Sequence, residues 1–243
     1  MAQRTMGRHL KWTHVYRLYE WVEPLLNQTV TKELLPAGDR VVVLAPHIDD
    51  ETIGCGGVIA KHVRAGKRVA ILTFADCTPE RIVEGRAAGA LLGVQRQDFL
   101  PFPSKTLSGN QEALSALTAF LREERPDLVY VPSLLDRHTD HVVLNQMLAL
   151  ATRETGLQPM VYGYEVWSTL TPNVAVDITA EQPVKARALE CFASQNLSNN
   201  WVDAAMGLNR YRGITTSAGL YAEAFHRVTA TRHREMVRRL WKV

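Results

Sequence analysis

Three short, nearly continuous apolar runs set the rhythm of the first half of the chain: VVVLA at Val41–Ala45, in a strand placed at 40–45, and those within RVAILTFAD at Arg68–Asp76 and DLVYVP at Asp127–Pro132. Runs of this length, rich in β-branched residues and without polar alternation, suit strands covered on both faces of a parallel sheet. Between them, apolar positions recur at helical spacing. One helix is expected from about Thr52–Gly57 to Ala65–Gly66. A second covers Pro79–Gly93, with Ile82, Val83, Ala87, Ala90 and Leu91 available for one face, and a third covers Glu112–Glu124. Gln97–Leu100 predicts a short strand. Later strands are expected at Met160–Trp167 and Asn173–Ile178, and a helix at Glu181–Phe192. Asn196–Gly219 shows no usable period and reads as an irregular, polar rim. Strands alternating with helices predict right-handed crossovers, hence an α/β, Rossmann-like, mainly parallel sheet with flanking helices in a single domain. No GxGxxG follows the first strand, so a nicotinamide enzyme is not expected.

The two ends have a different pattern. Val15, Leu18, Tyr19 and Val22 mark an amphipathic helix within an N-terminal extension, residues 1–36. Its Arg4, Arg8, Lys11 and Arg17 lie beside Trp12, Tyr16, Tyr19 and Trp21, a mixture compatible with peripheral membrane contact. The main domain is placed at 37–228 and a basic helix at 229–243. Residues 226–243 carry six Lys/Arg against one Glu, a local +5 in a chain of net +3, which leaves −2 for the rest. That is the solvated face of a terminal helix, and no nucleic-acid partner is expected.

Composition narrows the class further. With 46% apolar and 22% charged residues the chain can bury a sizeable core. Cys55, Cys77 and Cys191 are far apart, which excludes a disulfide framework or structural zinc cluster and fits a reducing cytoplasm. No apolar run reaches the length of a membrane span.

Candidate chemistry sits where the first and third apolar runs stop. His47, Asp49, Asp50 and Glu51 follow the first, and Arg137, His138, Asp140 and His141 follow the third. Parallel strands deliver their carboxyl ends to one edge, so the two loops can face one pocket. Imidazole and carboxylate are good ligands for a divalent metal, and a catalytic site leaves one position for water of lowered pKa. The plainer alternative is that Asp50 or Thr52 caps the next helix. Cys55 reads as a small packing residue, and His62 and His233 as helix-surface residues. Trp167, Trp201, Tyr211 and Arg212 are candidate sugar or lipid contacts, or packing.

These residues resemble the PIG-L/LmbE-like N-acetylglucosaminyl deacetylase family. Its A-H-P-D-D-E motif is similar to Ala45-Pro46-His47-Ile48-Asp49-Asp50-Glu51, with the proline before the histidine, and its H-P-D-H motif to His138-Thr139-Asp140-His141. Arg81, Glu84, Ala88, Leu92 and Gly93 match a third element. Lys185, Ala188, Ser194 and Gln195 match a fourth, and Glu223 and Phe225 a late A-E-x-F segment. The resemblance implies Zn2+, with another divalent metal compatible, held by His47, Asp50 and His141. It implies Asp49 as general base, His138 as donor to the oxyanion or leaving amine, Asp140 as the group that orients His138, and Arg81 as substrate-binding. Which of Asp49 and His138 protonates the amine stays open, and Arg81 with Glu84 can also be read as an exposed helical pair.

The implied activity is zinc-dependent removal of the N-acetyl group from an N-acetylated amino sugar, a GlcNAc-type glycan or glycoconjugate intermediate in glycan biosynthesis, releasing acetate. Deacylation of an antibiotic-type glycoside and a non-catalytic sugar-binding subunit are the alternatives. DFLPFPSKTLSG at Asp98–Gly109 departs from the family's D-G pair, so a different sugar pocket is expected. A cytoplasmic location, with peripheral contact at the inner membrane surface through either terminal helix, is compatible with the sequence, as is homo-oligomerisation.

Overall fold

The apolar runs become the inner strands of a single mixed sheet in the computed structural model, which describes residues 13, 17–18, 29–197 and 199–241. Its strands are β1 Thr31–Glu33, β2 Arg40–His47, β3 Arg68–Ala75, β4 Arg96–Phe102, β5 Leu128–Pro132, β6 Met160–Tyr164, β7 Val174–Asp177 and β8 Ala222–Thr229. They lie in the order β1-β7-β8-β6-β5-β2-β3-β4. Every pairing is parallel except those of β8, which runs antiparallel to both β6 and β7. The mainly parallel α/β architecture expected from the sequence is therefore observed.

The helices are α1 Asp50–Arg64, α2 Pro79–Leu92, α3 Gln111–Glu124, α4 Thr139–Thr155, α5 Gln182–Glu190, α6 Ala193–Asn196, α7 Trp201–Thr216 and α8 Ala230–Trp241. Successive strand residues serve opposite layers. Val41, Val43, Ile71 and Tyr130 pack with Val58, Ile59, Ala88 and Ala188 from α1, α2 and α5. Val42, Leu44, Leu72 and Val129 pack with Leu117, Leu121, Leu144 and Leu148 from α3 and α4. This two-sided burial is why the inner strands carry no polar alternation. The helix expected around Val15–Val22 lies outside the described residues, apart from Arg17 and Leu18.

Helix α1 is broken at Cys55, where φ is −145° and ψ is 21°. A buried ion pair repairs the break. Glu223, on β8, accepts hydrogen bonds from the backbone N–H groups of Gly57 and Val58, both at 2.8 Å. Lys185, on α5, donates to the carbonyl of Ile53 at 2.8 Å and to Glu223 at 2.7 Å. These two residues of the resemblance thus satisfy the backbone groups that the kink orphans. Beside them, a methyl group at Gly54 would meet Tyr164 at 2.1 Å, so the helix approaches the sheet only with glycine there. Cys55 is fully buried among these groups, as expected for a packing residue.

Three expectations need correction. His62 and His233 are not surface residues: they are 0% and 3% exposed. Both faces of α1 are covered, and His62 Nε2 lies 2.9 Å from the Tyr130 hydroxyl. His233 belongs to the inner stripe of α8 with Ala230 and Val237, and its Nε2 is 2.9 Å from Asn145 Oδ1. Residues 201–216 are a helix rather than an irregular rim. Its buried positions are Ala205, Asn209, Arg212, Gly213 and Thr216, a helical stripe with no aliphatic side chain larger than alanine and therefore faint in a hydrophobic pattern. Arg212 is not a rim contact either, since its guanidinium is buried against Glu165, with Nε 3.0 Å from Oε2.

Burial lowers the His62 pKa from 6.5 to about 4, with Lys67 adding to the effect. On acidification the unfolded chain takes up this proton first, near pH 6.5, while folded His62 stays neutral until about pH 4. Its contribution to stability is therefore complete above pH 6.5 and is lost as pH falls through that window, levelling off below. A loss of about 3 kcal/mol is expected from this residue. Urea unfolding at a series of pH values, with His62→Gln as comparison, would show a correspondingly flatter profile for the variant.

Candidate metal and catalytic site

The site is built from the segments that leave β2 and β5 at the carboxyl edge of the sheet. At the end of β2 the chain turns sharply through Asp49, whose φ of 119° and ψ of −30° lie where side chains are strained. This turn brings Asp50 back on His47: Asp50 Oδ2 accepts from the His47 backbone N–H at 2.9 Å and lies 3.2 Å from His47 Nδ1. The same oxygen is 3.2 Å from Nε2 of His141, on α4. Asp50 and Thr52 do not cap α1 through their side chains: the Asp50 carboxylate turns back to the His47 N–H and the Thr52 hydroxyl donates to Glu51 at 2.8 Å. Gln195 donates to the Ile48 carbonyl at 2.8 Å, and Glu84 accepts from both the N–H and the hydroxyl of Ser194 at 2.7 Å. The third and fourth motif elements thereby fasten α2 and α6 around this turn. Glu84 is taken up by Ser194 and does not pair with Arg81.

Each of the two imidazoles has a carboxylate on its other nitrogen. His47 Nε2 lies 3.1 Å from Asp140 Oδ2, and His141 Nδ1 lies 3.5 Å from Asp136 Oδ1. Asp140 was expected to orient His138, but its carboxylate turns to His47 and is 4.0 Å from His138 Nδ1. It is held there by Ser104 Oγ at 2.9 Å and the Lys105 N–H at 2.8 Å. The link to His138 runs instead through the backbone: the Asp140 N–H donates to His138 Nδ1 at 3.2 Å. A neutral His138 therefore keeps its proton on Nε2.

Three histidines, His47, His138 and His141, come close enough to hold an ion. Hydrogen bonding discriminates among them. Ligating histidines present one nitrogen to the metal and offer the other to a carboxylate or carbonyl, as His47 and His141 do. His138 Nδ1 already accepts a backbone N–H, and its Nε2 is protonated. The donor set that fits is thus His47 Nδ1, Asp50 Oδ2 and His141 Nε2. Neither ring nitrogen of buried His141 has an aligned hydrogen-bond partner, although Asp50 lies close to Nε2 and Asp136 to Nδ1.

Electrostatics divide the adjacent carboxyls. Although burial opposes its ionisation, Asp50 is held well below the usual carboxylate range by His141 and His47. Against their own burial, Asp140 and Asp50 lift His47 to about 10, and Asp50 and Asp136 lift His141 to about 9. The centre thus favours positive charge around one carboxylate, where a divalent cation would take the place of the protons. Asp49 behaves oppositely: burial, with Asp50 and Glu51 alongside, pushes its carboxyl well above the usual range. Burial likewise raises Glu51 to about 7. Burial and the His47 and His141 rings lower His138. Arg81, partly exposed on α2, has its Nη1 4.0 Å from Asp76 Oδ2, and its charge counteracts the rise at Asp49.

Asp136, Ser104 and Lys105 escaped the sequence reading. Asp136 sits two residues before His138, where its carboxylate accepts from the His138 N–H at 2.9 Å and the Trp167 N–H at 3.1 Å. Its position after the third apolar run was the available signal. Asp136→Asn is expected to weaken divalent-cation affinity about 10- to 100-fold, measured by competition with a chelator.

The chain is similar to several known proteins. Residues 42–152 match the family model described as PIG-L: GlcNAc-PI de-N-acetylase. Diacetylchitobiose deacetylase of Thermococcus kodakarensis is 27% identical over 192 residues, which cover 67% of this chain and 72% of that protein. A conserved protein of known structure from Thermus thermophilus superposes with a TM-score of 0.70 at 29% identity, covering 76% of this chain and 93% of the other. The N,N'-diacetylchitobiose deacetylase from Pyrococcus horikoshii shares the fold, with a TM-score of 0.68 at 23% identity over 91% and 94% of the two chains. Among the described residues no helix is long and apolar enough to cross a membrane. Through residues 42–152, just under half of its length, the chain is similar to the PIG-L (GlcNAc-PI de-N-acetylase) family.

Proposed function

We propose that the protein is a zinc-dependent N-deacetylase that hydrolyses the acetamide of an N-acetylated amino sugar to acetate and a free amine. The observation that carries this reading is the convergence of His47 and His141 on Asp50 Oδ2, at 3.2 Å each, with the buried carboxyl of Asp49 next in the chain. Relatives named as diacetylchitobiose deacetylases support the substrate class. When bound by His47, Asp50 and His141, zinc supplies Lewis acidity and lowers the pKa of water at the site.

The protein groups divide the remaining work. Asp49 takes a proton as water adds to the acetamide carbon, a role that its raised affinity for protons favours. His138, with its proton on Nε2, donates a hydrogen bond to the carbonyl oxygen as negative charge develops there. The C–N bond then breaks, the nitrogen receives a proton from Asp49 or His138, and acetate leaves. Asp140 and Asp136 hold the two ligand imidazoles in orientation. Arg81 grips sugar hydroxyls or a phosphate through its planar fork of donors. A GlcNAc-type glycan or glycoconjugate intermediate in the cytoplasm belongs to the same reading.

The test is acetate release from a panel of N-acetylglucosamine conjugates by protein carrying stoichiometric zinc. Release that is abolished by a chelator and restored by zinc is expected. Binding of the same conjugates without release would leave only a sugar-binding subunit.

A further inference from the structure

The two flanks of the site differ in chemistry. On the β3 and β4 side stand Arg81, Ser104 and Lys105, all polar. On the β6 side stands Trp167, a large aromatic residue that remains 40% exposed. We propose that Trp167 is a stacking platform for a second sugar ring, so that the site accepts an N-acetylated disaccharide or longer glycan with one ring over the metal ligands and the next against the indole. The inference rests on the deacetylase reading above.

Its first support is position. The Asp136 carboxylate joins Trp167 to the centre, accepting from the Trp167 N–H at 3.1 Å and the His138 N–H at 2.9 Å. Trp167 therefore stands beside the centre, one carboxylate away from His138. The second support is rigidity. The Trp167 carbonyl accepts from Arg137 Nε at 3.3 Å. The indole stands edge-on to Trp201, with centroids 5.0 Å apart and planes at 88°. Trp201 is itself packed with Ile53, Leu189 and Ala205. The loop beyond is closed by the buried Glu165–Arg212 pair: the Leu170 N–H donates to Glu165 at 2.8 Å and Arg212 donates to the Leu170 carbonyl at 2.8 Å. An exposed aromatic face held this firmly has lost its conformational freedom before any ligand arrives, so binding to it costs little ordering. The C–H face of a pyranose is apolar and flat enough to cover an indole, while its hydroxyls stay at the wet edge.

The experiment compares kcat/KM for a di-N-acetylated disaccharide with that for N-acetylglucosamine, in wild type, Trp167→Ala and Trp167→Phe. Trp167→Ala should lower the disaccharide-to-monosaccharide ratio about tenfold, through KM rather than kcat, and Trp167→Phe should retain most of the preference. An unchanged ratio, or a loss carried by kcat alone, overturns the stacking role and leaves the deacetylase reading intact. Should wild type release acetate from neither sugar, the deacetylase reading fails, and the platform is judged by tryptophan-fluorescence titration with the same disaccharide. Saturable binding that weakens about tenfold in Trp167→Ala supports it, and absent binding or an unaltered affinity overturns it.

Discussion

Asp49→Asn is expected to lower kcat/KM by about 10²- to 10⁴-fold, the usual contribution of a positioned proton-transfer group, while bound metal stays stoichiometric. Asparagine has nearly the same volume, and like aspartate it tolerates positive φ better than most residues, so the turn at φ 119° persists. What disappears is a buried carboxyl whose proton affinity is raised by its surroundings. Metal analysis on the same sample makes the result decisive. Loss of metal with loss of turnover would mean that Asp49 is a ligand, and that the division between it and Asp50 has been drawn the wrong way.

Glu223→Ala should cost about 3–5 kcal/mol in stability, measured as a lower urea midpoint with an unchanged slope. Removing this carboxylate strands the Lys185 ammonium, which is 0% exposed, and leaves the N–H groups of Gly57 and Val58 without acceptors. The double variant Lys185→Met, Glu223→Leu removes the buried charge but not the orphaned N–H groups, so it should recover only part of the loss. A cost below about 1 kcal/mol for the single change would mean that the kink at Cys55 is held by something other than this pair.

The parallel sheet was legible because the inner strands are buried on both faces and say so in continuous apolar runs. Strand β1 was not, since Thr31–Glu33 is a polar tripeptide that joins the sheet by backbone pairing with β7 and by Glu33 side-chain bonds to Tyr162 and Arg227. Helix α7 was hidden for a related reason, its inner face being made of Ala205, Asn209, Arg212, Gly213 and Thr216. The candidate site was readable as two clusters at two strand ends. Its wiring was not, because hydrogen-bond partners come from distant loops. Nothing in the spacing of His138 and Asp140 says that Ser104 and the Lys105 N–H draw the Asp140 carboxylate toward His47. Lys185 and Glu223 were noticed only through resemblance, and their task depends on a helix break that no periodicity announces.

Strand β8 enters the sheet between β6 and β7, and Glu223 on it reaches back 166 positions to Gly57. All proposed ligands are synthesised by residue 141, yet the strand that steadies the helix beside them arrives some eighty residues later. Contacts of such large sequence separation form late and slow folding. A nascent or truncated chain ending before Ala222 would hold every chemical group of the centre on an α1 that nothing yet braces. Competence to bind metal tightly is therefore expected to appear with the last strand rather than with the last ligand.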